Sequence, residues 1–435
     1  MISISAHTQG CLAAIAAPEG EGARTFTQVY PEAAAADAQA ADHRRQSGAL
    51  LSRLDGLVVA VKDLFDIRGQ TTWAGSVVLR NEPAAAADAP VVASLRRAGA
   101  VIVGKTNMTE FAYSGLGLNP HFGTPANPYQ RHIKHRIPGG SSSGAAVAVS
   151  DGMADIGLGT DTGGSVRIPA ALCGLVGWKP SQRRIALTGV WPLAPSFDSV
   201  GVIARSVALC ADADAVLATP LPASAVAAPG RLRLARLRGY IETELDPEVE
   251  RAYQDALTRL GDAGVRVEDV TVPELERMPR ELPGVTMPTY EAYHVHEQLL
   301  SRAAGAYDPR VRARLELGRG ITAAQYATAV GVRRALQRAA ADALRGFDAF
   351  VLPTVAIVAP PIDAFDNDER YLAVNRKVLR NTSLLNFLDG CAISLPCHAP
   401  RMAPVGISIA GLETADTRVL GVARGLEAIL SPPAV

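Results

Sequence analysis

The chain has 435 residues, 48% hydrophobic and 20% charged, a composition that supports a large apolar core and excludes a disordered or fibrous chain. Its 43 Lys and Arg balance 43 Asp and Glu, so the basic excess of a nucleic-acid binder is missing and no nucleic-acid partner is expected. No apolar run approaches the roughly 18 residues of a membrane span, residues 1–20 lack the basic start of a secretory signal, and five scattered cysteines form no C-x-x-C pair, so a cytoplasmic protein with reduced thiols and no metal is expected.

Residues 32–46, alanine-rich with scattered charges, predict a helix. Leu57–Val61 is an apolar run opened by the turn signal Asp55-Gly56 and predicts a buried strand with Lys62 at its end. Residues 90–99 have helical spacing and a glycine stop, and Ala100–Val103 predicts a second strand ended by Gly104-Lys105. Strand and helix alternate to about residue 210, which argues for parallel strands in a sheet covered on both faces. Residues 211–230 shift to Ala, Pro and Ser and predict a surface connection. A strand over 231–237 follows, then a helix from Asp246-Pro247 to about 263, with proline in its first turn. Residues 291–346 are helical and Arg-rich, interrupted at Gly318-Arg319-Gly320. Phe350–Val358 predicts a strand cut by Pro353, 370–388 a helix, 392–396 and 405–410 strands, and 415–428 a closing helix. The last third thus returns to α/β, as expected if one sheet takes strands from both ends of the chain.

Arginine outnumbers lysine 38 to 5. Lysine can lose its proton when buried and arginine cannot, so Lys62, Lys105, Lys134, Lys179 and Lys377 are either chance survivors or places where an ammonium is specifically needed, the second reading gaining weight only beside other chemistry.

That chemistry concentrates between 138 and 169. Pro138-Gly-Gly-Ser-Ser-Ser-Gly144 precedes an Ala/Val run, and Gly157-Leu-Gly-Thr-Asp-Thr-Gly-Gly-Ser-Val-Arg-Ile-Pro169 follows. Glycine permits close backbone approach and positive φ, and such loops turn free N–H groups outward to receive an anion or oxyanion. Four readings compete. A phosphate loop needs lysine after its second glycine, but Ala145-Ala146 follow Gly144. Gly140-Ser-Ser-Ser-Gly144 fits the nucleophile-elbow pattern with Ser142 central; it needs a histidine, and His294, His296 and His398 lie downstream in no recognisable setting. Asp161-Thr162-Gly163 spells half of an aspartic-protease pair, without a second copy. The fourth reading is a serine hydrolase whose base is Lys62.

The motifs resemble those of the amidase signature hydrolases. Val59-Ala-Val-Lys62-Asp63, Gly104-Lys-Thr-Asn-Met-Thr-Glu-Phe111, Pro138–Gly144, Gly159–Pro169, Cys173-Gly174 and Gly177-Trp-Lys-Pro180 carry the resemblance, as does the gap of 24 between Ser141 and Ser165. It is dense over about 55–205 and thinner at Leu352-Pro353 and from Asn386 to Gly406. The resemblance implies a single α/β/α domain over 1–435, a mixed central sheet covered by helices. Residues 210–350 would form a variable substrate entrance and 350–430 a sheet-return segment. It implies an amidase acting on a small-molecule amide without cofactor, in a possible homodimer. Ser165 would be the nucleophile, Ser141 a bridging serine in a cis peptide and Lys62 the base, with the N–H groups of Thr162, Gly163, Gly164 and Ser165 as oxyanion hole. Ser142 and Thr160 would hydrogen-bond around the lysine. Within the family, the A subunit of a glutamine-dependent tRNA amidotransferase is the alternative. Such subunits carry an acidic residue a few positions before the asparagine matching Asn386, where this chain has Leu379-Arg380-Asn381. Outside it, the alternative is an inert scaffold on the same fold.

Several residues invite plainer readings. Asp161 and Arg167 are expected as an ion pair that shapes the oxyanion loop, and Lys105 as a salt-bridge partner. His132, His135, His294 and His296 have metal-like spacings but no further ligands nearby, and are expected as solvated side chains. Cys173 reads as a small core residue. Phe111, Tyr113 and Trp191 fit an acyl pocket or core packing equally. The basic stretch 131–136 has no assigned role.

Overall fold

We describe the protein from a computed structural model, in which residues 2–219, 225–276 and 286–430 are described. Among the described residues, eleven strands form one mixed sheet. They are β1 (Phe26–Val29), β2 (Val58–Lys62), β3 (Val101–Thr106), β4 (Ile156–Thr160), β5 (Val176–Lys179), β6 (Val200–Ala204), β7 (Arg233–Leu237), β8 (Arg266–Val270), β9 (Ala349–Pro353), β10 (Cys391–Pro396) and β11 (Gly406–Gly411). Their order is β1-β3-β2-β4-β6-β5-β10-β11-β9-β7-β8.

The sheet therefore takes strands from both ends of the chain. Its parallel pairs are confined to two flanks, β3-β2-β4 and β9-β7-β8. The centre, from β4 through β6, β5, β10 and β11 to β9, is antiparallel throughout. This corrects the expectation of parallel pairing up to residue 210. β5 does follow β4 through a short helix, Arg167–Leu172, but β6 returns without a crossover helix and inserts between them. Antiparallel pairing needs no crossover.

Strand residues alternate between two cores. Val58, Ala60, Val101 and Val103 pack with Ile4, Cys11, Ala34, Ala38 and Ala41 from the helices Ile4–Ala16 and Pro31–Ser47. Val59, Val61 and Ile102 join the main cluster on the opposite face, with Val91, Val92 and Leu95 of the helix Pro90–Arg97. The helix Pro247–Asp262 begins with proline and buries Val249, Ala252, Tyr253, Ala256 and Leu260, one face at helical spacing.

Three boundaries differ from expectation. β3 runs through Gly104 and Lys105 because β1 pairs along that end, Val29 opposite Gly104 and Gln28 opposite Lys105. The helix Val207–Leu217, capped by Ser206, fills the start of the expected 211–230 connection, of which residues 220–224 lie outside the described residues. β9 stops at Pro353, where the ladder lacks an N–H. The helix Ile4–Ala16 and the edge strands β1 and β8 have no counterpart in the predicted elements. Among the described residues no helix is long and apolar enough to cross a membrane. All five cysteines are buried free thiols.

Candidate active site

β2 and β4 are parallel neighbours, with Val61 beside Leu158. Their ends carry Lys62 and Thr160, so the ladder sets these two side chains together. Lys62 is fully buried. Its Nζ donates to Ser141 Oγ at 2.8 Å and to Thr160 Oγ1 at 3.0 Å. Burial pushes its pKa down to about 7, against the opposing pull of the Asp161 and Asp198 carboxylates. Among the described residues it makes no ion pair.

Ser141 stands in the glycine-rich loop before the helix Ser143–Ser150, and the Gly140–Ser141 peptide is cis. A Cβ on Gly140 would meet Gly117 N at 2.5 Å, so only glycine fits there. Ser141 O accepts from Thr109 N at 3.1 Å, and Ser142 N donates to Ser165 O at 3.2 Å, tying the two loops together. Ser142 Oγ donates to Thr160 O at 3.4 Å, and among the described residues it makes no hydrogen bond to Lys62.

The second loop is organised by Asp161. Its carboxylate accepts from Gly164 N at 2.8 Å, Arg167 Nε at 3.0 Å, Arg167 Nη2 at 2.9 Å and Asn386 Nδ2 at 2.9 Å. Burial alone would raise this carboxyl; the Arg167 guanidinium, together with the Lys179 ammonium and the Asn386 amide, more than offsets it and holds the group well below the usual carboxylate range. The expected Asp161–Arg167 pair is thus present, fully buried. Because Gly164 N–H is taken by Asp161, the amides of this loop without a partner among the described residues are those of Thr162, Gly163 and Ser165, one fewer than expected for an oxyanion hole. Gly164 has φ +131°, and a Cβ there would meet Thr382 Oγ1 at 2.1 Å. Ser165 is 3% exposed, and among the described residues its Oγ has no hydrogen-bond partner; no bond joins it to Ser141.

Three groups that complete the loop were not singled out as functional in the sequence. Thr162 Oγ1 donates to Asp198 Oδ1 at 2.6 Å, Thr382 Oγ1 to Gly163 O at 2.6 Å, and Asn386 Nδ2 to Asp161 O at 2.9 Å. No local motif marks Asp198 or Thr382, and Asn386 entered only as the start of a thinner stretch of the resemblance; each arrives from more than thirty residues away.

The other residues fall into place around this centre. Lys105 pairs with Asp63 at 2.9 Å, both fully buried. Cys173 is a buried thiol donating to Pro138 O at 3.3 Å. Phe111 and Trp191 lie 5.8 Å apart between ring centres, and Tyr113 Oη reaches Thr289 Oγ1 at 3.2 Å. His132, His135 and His294 are exposed as expected, but His296 is not. It is fully buried, its ring 4.4 Å from Phe111 and its Nδ1 3.0 Å from Tyr307 Oη. Burial pushes its pKa down to about 4, which keeps the imidazole neutral. The basic stretch is stitched to its surroundings: Arg131 is bidentate on Asp151, Lys134 pairs with Asp363, and Arg136 donates to Ala359 O. Among the described residues no three His, Cys, Asp or Glu gather as metal ligands.

A family model described as Amidase matches residues 11–420. The chain is 37% identical over 401 residues to 2-amino-5-chloromuconic acid deaminase of Comamonas testosteroni, covering 90% of this chain and 86% of that protein. It is 34% identical over 442 residues to the A subunit of the glutamyl-tRNA(Gln) amidotransferase of Roseiflexus sp. (strain RS-1), covering 93% and 88%. A crystal structure of an amidase superposes with TM-score 0.87 at 32% identity, covering 99% of this chain and 96% of that one.

Proposed function

This chain belongs to the amidase signature family and is a hydrolase of amide C–N bonds, and on that premise we propose that it works through an acyl-enzyme on Ser165, with Ser141 as proton relay and Lys62 as base. The observation that carries the proposal is Lys62 itself, fully buried, without an ion pair among the described residues, 2.8 Å from Ser141 Oγ and with its pKa brought to about 7 by burial. A lysine that is half neutral near pH 7 is a competent base, and a serine hydroxyl needs one.

In the proposed first step Ser165 Oγ attacks the amide carbonyl carbon. Its proton passes to Ser141 Oγ, and the Ser141 proton passes to neutral Lys62. The carbonyl electron pair moves onto oxygen, which takes hydrogen bonds from the free amides of Thr162, Gly163 and Ser165. Collapse of the tetrahedral intermediate expels the leaving nitrogen, which receives the proton back from Lys62 through Ser141. Water then attacks the Ser165 ester by the same relay and releases the carboxylic acid. Arg167 and Asp161 hold the loop and touch no reacting atom. The relay requires the Ser165 hydroxyl to close onto Ser141 when substrate enters; active-site hydrogen bonds commonly tighten only in the complex.

The amidotransferase reading draws support from the relatives, but a cation opposes it. Arg380 is half-buried, bonded to Asn381 Oδ1 at 3.0 Å and Ile241 O at 3.3 Å, in the segment where the resemblance implies an acid for an amidotransferase subunit. An inert scaffold would gain nothing from burying Lys62 against hydroxyls alone.

The test is intact mass spectrometry after incubation with a fluorophosphonate, with peptide mapping, on wild type and Ser165→Ala. One adduct on the Ser165 peptide, absent from the variant, is the expected result. An adduct on Ser142, or one that persists in Ser165→Ala, overturns the assignment.

A further inference from the structure

The free amide of Gly163 has no evident support. A peptide unit is planar, so fixing a carbonyl oxygen also fixes the N–H of the next residue. Asp161 O accepts from Ser199 Oγ at 2.8 Å and Asn386 Nδ2 at 2.9 Å, which fixes the Thr162 N–H. Gly163 O accepts from Thr382 Oγ1, and Gly164 N–H donates to Asp161, so that plane is held at both ends. Gly164 O accepts from Ile168 N at 2.7 Å, which fixes the Ser165 N–H. The plane of Thr162 O and Gly163 N is the exception: neither atom has a partner among the described residues. What remains to orient it is the Thr162 side chain, whose hydroxyl donates to Asp198 at 2.6 Å.

Asp198 is built to hold that hydroxyl. It is buried, and among the described residues it makes no ion pair. Its carboxylate also accepts from Leu193 N at 2.9 Å and Ala194 N at 3.1 Å. Its segment is bolted to distant helices: Ser196 N donates to Glu291 Oε2 at 2.8 Å, and Arg333 Nη1 donates to Ser196 O at 3.1 Å. Beside it, Asp161 N donates to Ser199 O at 2.8 Å, in register with the β4–β6 ladder.

We propose that Asp198 is a positioning residue: through the Thr162 hydroxyl it fixes the peptide plane that aims the Gly163 N–H at the oxyanion formed when Ser165 attacks. The inference rests on the Ser165 reading above, and the two can fail separately.

The experiment follows fluorophosphonate labelling kinetics, because the tetrahedral phosphonate puts an oxygen where the oxyanion forms and no natural substrate is needed. Thr162→Ala and Asp198→Asn are expected to lower the maximal labelling rate by roughly tenfold or more, with half-saturation within about threefold, since an oxyanion donor acts in the transition state. Thr162→Ser, which keeps the hydroxyl, is expected to restore the rate to within about threefold of wild type. The double variant Thr162→Ala/Asp198→Asn should be no slower than the slower single variant, because both break one link. A merely structural role would not give rescue by serine or a rate change without loss of binding. Should Asp198→Asn fail to fold, the Thr162 pair still decides. Unchanged labelling in Thr162→Ala, failure of serine to rescue, or losses that multiply in the double variant overturn the proposal. Persistent labelling in Ser165→Ala would instead overturn the Ser165 reading.

Discussion

Replacing Lys62 with methionine keeps the side-chain volume and removes its charge. An unfolded chain holds this lysine at its ordinary pKa of 10.5, and burial brings it to about 7. At pH 7 folding therefore strips the proton from about half the molecules. At about 1.4 kcal/mol per pH unit, this costs the wild type about 4 kcal/mol. Methionine escapes that cost but leaves Ser141 Oγ and Thr160 Oγ1 without their donor, a loss of about 1 kcal/mol each. Lys62→Met is expected to be inactive and more stable by about 2 kcal/mol at pH 7. The sign also fixes a pH dependence. Between about pH 7 and 10.5 the unfolded wild type binds more protons than the folded form, so its stability rises by about 1.4 kcal/mol per pH unit; methionine has no such slope. The variant's advantage should shrink to nothing at about pH 9 and reverse above it. Urea unfolding of both proteins at pH 7, 8 and 9 tests this, because all other titrating groups cancel in the difference. A difference independent of pH, or a wild type more stable at pH 7, would mean that folded Lys62 keeps its proton. It could not then serve as the base.

The same neutral lysine predicts that kcat/KM of the wild type on any amide it cleaves rises with pH through an acid limb near pH 7. Lys62→Arg should lose roughly a hundredfold or more, because arginine keeps its proton; near-normal turnover by it would refute the base assignment. Arg167→Met should destabilise the fold by about 3–5 kcal/mol in urea, since it strands the buried Asp161 carboxylate. Arg167→Lys should recover only part of that, because one ammonium cannot reproduce the bidentate contact. His294→Ala and His398→Ala should label with fluorophosphonate at wild-type rates. A large loss in either would revive the serine–histidine elbow centred on Ser142.

Lys62 was legible because two local facts coincide there, an apolar strand end and a lysine in a chain that writes positive charge as arginine. The choice of Ser141 and Ser165 came from the family resemblance and not from composition, but the two loops that carry them were legible as a candidate site because glycines and hydroxyls crowd them. Asp198 was not: it is one carboxylate in an unremarkable segment, and its partner Thr162 lies 36 residues earlier. They meet because β6 pairs antiparallel beside β4 and carries the two segments to the same sheet end. That insertion of β6 is also what the alternation of strands and helices concealed. The histidine pair went wrong for a different reason. Residues 294 and 296 are two apart on the helix Thr286–Ala303, about 200° around its axis, so one faces solvent when the other faces the core. Spacing that suggested a shared environment excluded one. The stretch 131–136 stayed unread because its partners, Asp151, Ala359 and Asp363, come from elsewhere in the chain. In each case the residues that bear the chemistry are close in sequence to others of their kind. The groups that orient them reach the site across the sheet, and only the strand order decides which groups those are.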